Sequence, residues 1–266
     1  MRARLYAVFC TLVVGCGDNY LVTADAGPDA REVDAQVVDV LTDLCTDTVT
    51  GILPGNPGAS ASAYPAAGWW SDDTRANGTV TVDVTIIPPT GFGCRSARLV
   101  TGASTASPSA DKAQLISFAQ AGVSLASITT IGYWAYRASA STGDPAIDLA
   151  LNVSVTGATV PGGFATLVYE PYHQSGGNAG IQVDTWQRWD ATATTAGDGR
   201  WWTSKIANGP SPGTPGSQSN PQAWTAFQAL YSDALVHGYG LNLGSVNPNM
   251  IVAGDGLVFG TITTDF

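Results

Sequence analysis

From residue 69 onward, apolar and polar positions alternate in short runs, and Gly, Pro, Asn and Asp separate the runs. Alternation of period two sends successive side chains to opposite faces, which is the pattern of a half-buried strand. In "TVTVDVTII" (79–87), Val80, Val82, Val84 and Ile86 share one face, and Thr79, Thr81, Asp83 and Thr85 the other. Asn77-Gly78 immediately before it predicts a hairpin turn, with "WWSDDTRA" as the partner strand. "PPTGFG" stops the run, and "RSARLV" begins another strand. "ITTIGYWAYRAS" places Tyr133 on one face and Trp134 and Tyr136 on the other. "AIDLALNVSV" turns Ile147, Leu149, Leu151, Val153 and Val155 inward. "GFATLVYEPY" is a strand ended by Pro171. "IQVDTWQRWDA" and "RWWTSK" predict two strands joined by "TATTAGDG", and "ALVHGYGLNL" and "MIVAGDGLVFGTIT" predict the last ones.

One segment breaks this period. In "NPQAWTAFQALY" (220–231), Trp224, Phe227 and Tyr231 recur at helical spacing, Asn220 suits the cap and Pro221 the first turn. About ten strands with one inserted short helix predict an all-β fold over residues 68–266. The expected form is a two-sheet antiparallel β-sandwich of jelly-roll type. Composition agrees: Thr, Val, Tyr and Trp are abundant, while Glu32, Glu170, Lys112 and Lys205 are the only Glu and Lys.

Charge is uneven. Of a net −10, residues 17–47 hold eight acids against one base, and the domain behind them is only mildly acidic. No basic patch offers itself to a phosphate backbone, so nucleic acid is not an expected partner. With "PGNPGASASAYPAAG" (54–68), the acidic stretch reads as a tether spanning residues 16–67.

The chain opens "MRARLYAVFCTLVVGC": Arg2 and Arg4, an apolar run from Leu5 to Val14, then Gly15-Cys16. That order is a secretory signal, and the apolar run is too short to span a bilayer. "LVVGC" resembles a bacterial lipobox, with Val13 where Leu is commonest. The resemblance implies a lipoprotein signal peptide over residues 1–15, cleavage before Cys16, and acylation of Cys16 with fatty chains such as palmitate. Gly17, rather than Asp, after that cysteine implies an outer-membrane lipoprotein, attached to the membrane by its lipid and possible at the cell surface. Cys10 leaves with the signal. Cys45 and Cys94 remain, and in an oxidising compartment they are candidates for a disulfide.

Local catalytic motifs are missing: no HExxH, no CxxC pair, no GxSxG elbow, no phosphate-binding Gly-rich loop, and His173 and His237 in separate segments. Glu170 is the only Glu of the domain, and with Asp184 or Asp190 it is the one candidate for the paired carboxylates of a glycosidase. No cofactor is expected, and the carboxylates are too scattered to place a metal.

"WQRWDATATTAGDGRWWTSK" (186–205) carries four of the eight tryptophans. On a strand, Trp186 and Trp189 face opposite ways, as do Trp201 and Trp202. Val183, Thr185, Gln187 and Trp189 make the plainer inward face. Asp184, Trp186, Arg188 and Asp190 then face out, so Trp186 is the candidate stacking ring and its charged neighbours are candidate partners for sugar hydroxyls. The run "YWAYRAS…PAIDLALNV…TLVYEPY…TWQRWDA…RWWTSK…GYGLNLGS" resembles a recurring type of secreted bacterial β-sandwich domain. It is similar in layout to jelly-roll carbohydrate-binding modules, a class that often holds a structural calcium. The expectation is an anchored, non-catalytic binding or adhesion domain with an envelope or extracellular glycan as ligand. Two alternatives stand beside it: a glycan hydrolase or lyase using Glu170, and a structural envelope protein without a small ligand.

Overall fold

The computed structural model describes residues 47–49, 51–55, 68–105, 110–145, 148–206, 213–244 and 247–266. The signal segment, Cys16 and Cys45 lie outside the described residues. Twelve strands, β1 to β12, and one helix, α1, make up the described part: β1 Thr79–Asp83, β2 Ser96–Val100, β3 Ala113–Ser117, β4 Ile131–Arg137, β5 Ala150–Thr156, β6 Phe164–Tyr169, β7 Trp186–Asp190, β8 Arg200–Trp202, β9 Gln222–Ala223, α1 Trp224–Leu230, β10 Leu235–Leu243, β11 Ile251–Phe259 and β12 Ile262–Thr264. No helix among the described residues is long and apolar enough to cross a membrane.

The strands form two antiparallel sheets. Sheet one runs β1-β2-β11-β4-β7, and sheet two runs β3-β10-β5-β6-β8-β9. Without β1, β8, β9 and β12, the two orders are β2-β11-β4-β7 and β3-β10-β5-β6, the interleaved pair of Greek keys that defines a jelly roll. Half of one edge of β11 pairs with β2, through Ile251–Gly254, and the other half pairs with β12, through Leu257–Phe259. The two-residue turn Gly260-Thr261 makes that last hairpin, and Gly260 takes the φ of +61° that the turn needs.

The inner faces meet in a core of aliphatic and aromatic side chains. Leu149, Leu151, Val153 and Val155 are all fully buried, as the alternation of that strand predicts. Rings join the sheets: Tyr239 of β10 stacks on Phe259 of β11 at 4.1 Å, and Tyr133 of β4 meets Tyr169 of β6 edge-on at 6.1 Å. Each fully buried side chain of this size contributes about 1.5–3 kcal/mol. The segment before Gly68 also belongs to the fold in part. Val49 packs in the core, Thr48 and Val49 N–H groups donate to the Asp265 carbonyl, and Leu53 bridges to Trp70. Part of the stretch read as tether is therefore integral to the domain.

Two local expectations need correction. Asn77-Gly78 does not close a hairpin, because β1 pairs with β2 and the chain before the turn bridges Lys112 through Arg75. The Asn77 N–H is instead held by the Asp111 carboxylate at 2.9 Å. Helix α1 starts at Trp224 rather than after Asn220, because Gln222 and Ala223 pair with β8 and Asn220 closes a turn with Gly213 and Gly216. Its predicted face is kept, with Trp224, Phe227 and Tyr231 buried. Strands β7 and β8 are joined by the predicted loop, which crosses from sheet one to sheet two.

Candidate ligand-binding face

The four clustered tryptophans divide between core and surface. Trp201 is fully buried, donates its Nε1–H to the Ala191 carbonyl at 2.6 Å and packs on Trp224 at 4.7 Å. Trp189 packs against the core from β7. Trp186 lies half-buried on the other face of β7, where its Nε1–H donates to the Ile87 carbonyl at 2.7 Å and its ring tilts on Tyr136 at 5.5 Å. That is the orientation the strand pattern gives.

The neighbours proposed with Trp186 have local work. Asp184 has a φ of +52°, and its Oδ1 accepts from the Ser139 N–H at 2.8 Å and the Tyr136 hydroxyl at 3.0 Å. These bonds hold its carboxyl below the usual carboxylate range. Asp190 Oδ1 accepts from the Thr192 N–H and hydroxyl, both at 3.0 Å. Arg188 is exposed opposite Trp134 of β4. Ile87, whose carbonyl Trp186 meets, is 79% exposed, so this neighbour of Trp186 is apolar where the sequence suggested charge.

Glu170 is elsewhere, on sheet two just past β6. Its Oε2 accepts from Trp202 Nε1 at 2.7 Å and from the Tyr172 hydroxyl at 2.9 Å, with His173 Nε2 and Gln218 Nε2 both at 3.5 Å. Burial pushes this carboxyl up, but the bonds from His173, Tyr172 and Trp202 outweigh it and hold the group below its ordinary value. A carboxylate kept ionised by such donors makes a poor proton donor. No hydrogen bond or ion pair among the described residues joins Glu170 to Asp184 or Asp190, and those two sit on sheet one.

Sequence reasoning missed the outer face of sheet two. Register fixes which residues share it. Ile116 of β3, Gly240 of β10, Asn152 of β5, Val168 of β6 and Trp202 of β8 form one row across five strands. Ser154 and Thr166 lie opposite each other in the adjacent row, beside Gly238. This face mixes amide and hydroxyl side chains with Ile116, Val168 and Trp202, where the inner face is aliphatic and aromatic. A groove of about 550 Å³ opens over it, floored by β10 and β5, with Ile116 and Phe118 along one wall and Phe164 and Thr166 along the other. Asp72, Asp73 and Lys112 stand at one end of the lining. His237 lines it too, held edge-on between Phe118 at 5.8 Å and Phe164 at 5.6 Å.

One atom of this lining is out of balance. Asn152 Oδ1 is buried and has no hydrogen-bond partner among the described residues, and the same holds for Asn242 Oδ1 on the same face of β10. An unpaired buried polar group costs about 1–3 kcal/mol, and native structures keep few of them. The available signal was the polar set Asn152, Ser154 and Thr166 opposite the alternate apolar positions Leu151, Val153, Val155, Ala165 and Leu167. Among the described residues, no group of three or more His, Cys, Asp or Glu is placed to hold a metal ion. No protein-family model matches the chain, and no curated protein or solved structure does either.

Proposed function

We propose that this chain is an outer-membrane lipoprotein, anchored through Cys16, whose jelly-roll domain binds glycan without catalysis on the outer face of sheet two. One observation carries the reading: the groove over β10 and β5 combines amide and hydroxyl side chains with aromatic walls, and it holds Asn152 Oδ1 without a partner. Sugars present both kinds of surface, hydroxyls for the amides and apolar ring faces for the aromatics. Glu170, held ionised with its Oε2 bonded to Tyr172 and Trp202, is poorly suited to the general-acid role that hydrolysis needs, which supports binding. The lipid anchor rests on the "LVVGC" sequence, and several acyl chains at about 0.8 kcal/mol per buried CH₂ hold such a protein firmly.

The test is a glycan array with the wild type and Asn152→Leu. Replacing an unpaired buried amide by an apolar group of similar size is close to neutral for the fold. Binding should therefore vanish while the melting temperature stays or rises. Binding that survives Asn152→Leu removes the groove from the reading. The half-exposed Trp186 ring on sheet one, stacked on Tyr136, supports a second reading with the contact there. Loss of binding in Trp186→Ala, with Asn152→Leu silent, favours it.

A further inference from the structure

We infer that the groove on sheet two selects an uncharged oligosaccharide over a uronate-rich or sulfated one, with His237 reading its hydroxyls. This rests on the proposed glycan-binding role and deepens it.

The lining carries two carboxylates, Asp72 and Asp73, against one cation, Lys112, and that cation is already paired. Asp73 accepts from Arg75 Nε at 2.6 Å and Nη2 at 2.8 Å, and from Lys112 Nζ at 2.5 Å. Lys112 is the one cation of the lining, and its side chain is 13% exposed. An incoming carboxylate or sulfate has to break the Lys112–Asp73 pair and then lie beside Asp72 and Asp73. Like charges brought together in a partly desolvated site oppose binding, and this repulsion discriminates between ligands more than it adds affinity. The rest of the lining offers neutral donors and acceptors only.

His237 fits the same logic. Burial holds its imidazole below the ordinary histidine value, with Asp72 as the opposing influence. A neutral imidazole has one N–H donor and one acceptor nitrogen. Neither ring nitrogen has a hydrogen-bond partner among the described residues, while Phe118 and Phe164 fix the ring plane at 89° to each of theirs. Beside it, Ile116 and Phe118 pack down over Gly238, where a Cβ would lie only 3.0 Å from Ile116 Cδ1 and 3.1 Å from Phe118 Cδ1. The groove crosses from Gln114 of β3 over β10 and β5 to Thr166 of β6, three strand spacings or roughly 14 Å at about 4.8 Å each. That length suits a short oligosaccharide lying across the strands rather than a single sugar.

The experiment titrates the full chain at pH 7.5 with neutral cello-, manno- and chito-oligosaccharides, and with oligogalacturonate and heparin oligosaccharides of matched length. At least one neutral series should bind about tenfold or more tightly than either anionic series, a difference of about 1.4 kcal/mol. Asp72→Lys should raise anionic binding relative to neutral binding by about tenfold. His237→Phe keeps the ring packing and should weaken neutral binding by about tenfold or more. Anionic ligands that bind the wild type as tightly as neutral ones, or a silent His237→Phe, overturn the selectivity and leave the glycan reading standing. A wild type that binds neither series overturns the glycan reading, and the selectivity falls with it.

Discussion

The indole Nε1 of Trp202 donates to Glu170 Oε2 at 2.7 Å, joining β8 to the end of β6 on the outer face of sheet two. Tyr172 donates to the same oxygen, so one carboxylate organises an edge of the sandwich. Its partner on the chain, Trp201, points the other way into the core.

Glu170→Gln should lower stability at neutral pH, by about 1.5–3 kcal/mol for hydrogen bonds to a charged group. The folded-state pKa of Glu170 is depressed. Its stabilisation is therefore present above the unfolded pKa and is lost as pH falls through the folded one. The wild type and the variant should melt apart at pH 7 and converge in acid. Thermal melts between pH 2.5 and pH 7 check this, and a gap that persists unchanged in acid contradicts it.

Trp201→Ala and Trp186→Ala should separate core from surface. Deleting the fully buried Trp201 should cost about 3–5 kcal/mol. Trp186 forfeits one hydrogen bond to Ile87 and one ring contact with Tyr136, so its loss should cost about 1 kcal/mol. Urea denaturation of the two variants distinguishes these values. Equal losses would mean that β7 and β8 do not present their tryptophans as described.

Asp255 should make the protein less stable as pH rises toward neutrality. It is fully buried at the bulge of β11. Burial, with Asp265 and Asp47 nearby, pushes its carboxyl up to about 7, against hydrogen bonds from Phe266 and Gly256. The folded state holds this proton where the unfolded chain has released it, so the group's contribution declines between about pH 4 and pH 7. Asp255→Asn should abolish that slope and melt higher than the wild type at pH 7, by roughly 2–4 °C for each kcal/mol gained. At pH 4 the two should melt together. Parallel pH profiles for the two proteins would refute the assignment.

Cys45 and Cys94 should form a disulfide. The Cys94 N–H donates to Asp47 Oδ1 at 2.7 Å, which brings the chain two residues beyond Cys45 to the backbone of Cys94. The bond would close a loop of about 50 residues and stabilise by about 2–4 kcal/mol. Alkylation of the denatured, unreduced protein should label neither cysteine. Labelling of both rules the bond out.

Cys16 should carry the lipid. Globomycin should accumulate the uncleaved precursor, and Cys16→Ala should release the protein from membranes. A mutant that still partitions with membranes, alongside a wild type without acyl mass, contradicts this.

The sheets were legible where one face meets the core and the other does not. The run from Leu149 to Val155 puts Leu149, Leu151, Val153 and Val155 on one fully buried face, and Tyr133 against Trp134 and Tyr136 sorted correctly by parity. Pairing was not legible, because alternation says which face a residue takes and nothing about its neighbour strand. Asn77-Gly78 looked like a hairpin, yet β1 finds its partner beyond an intervening loop at Ser96–Val100. Strand β3 escaped notice because "AQLIS" is buried at every position and so does not alternate. The groove escaped for a related reason: its polar residues sit on four strands, and only the register Gly240–Asn152–Val168 brings them side by side.

The topology also fixes when folding can begin. Strand β10 sits between β3 and β5, and β11 sits between β2 and β4. Each sheet thus keeps an empty central slot until residues 235–259 are available. A chain emerging from a ribosome or a translocation pore in N-to-C order has no complete sheet to close before that point. Loop closure over such long separations is slow. The exposed edges of β2 to β5 are then open to chaperones for most of the chain's passage. A domain built this way stays open until nearly all of it has been made, and it locks only when its two middle strands arrive.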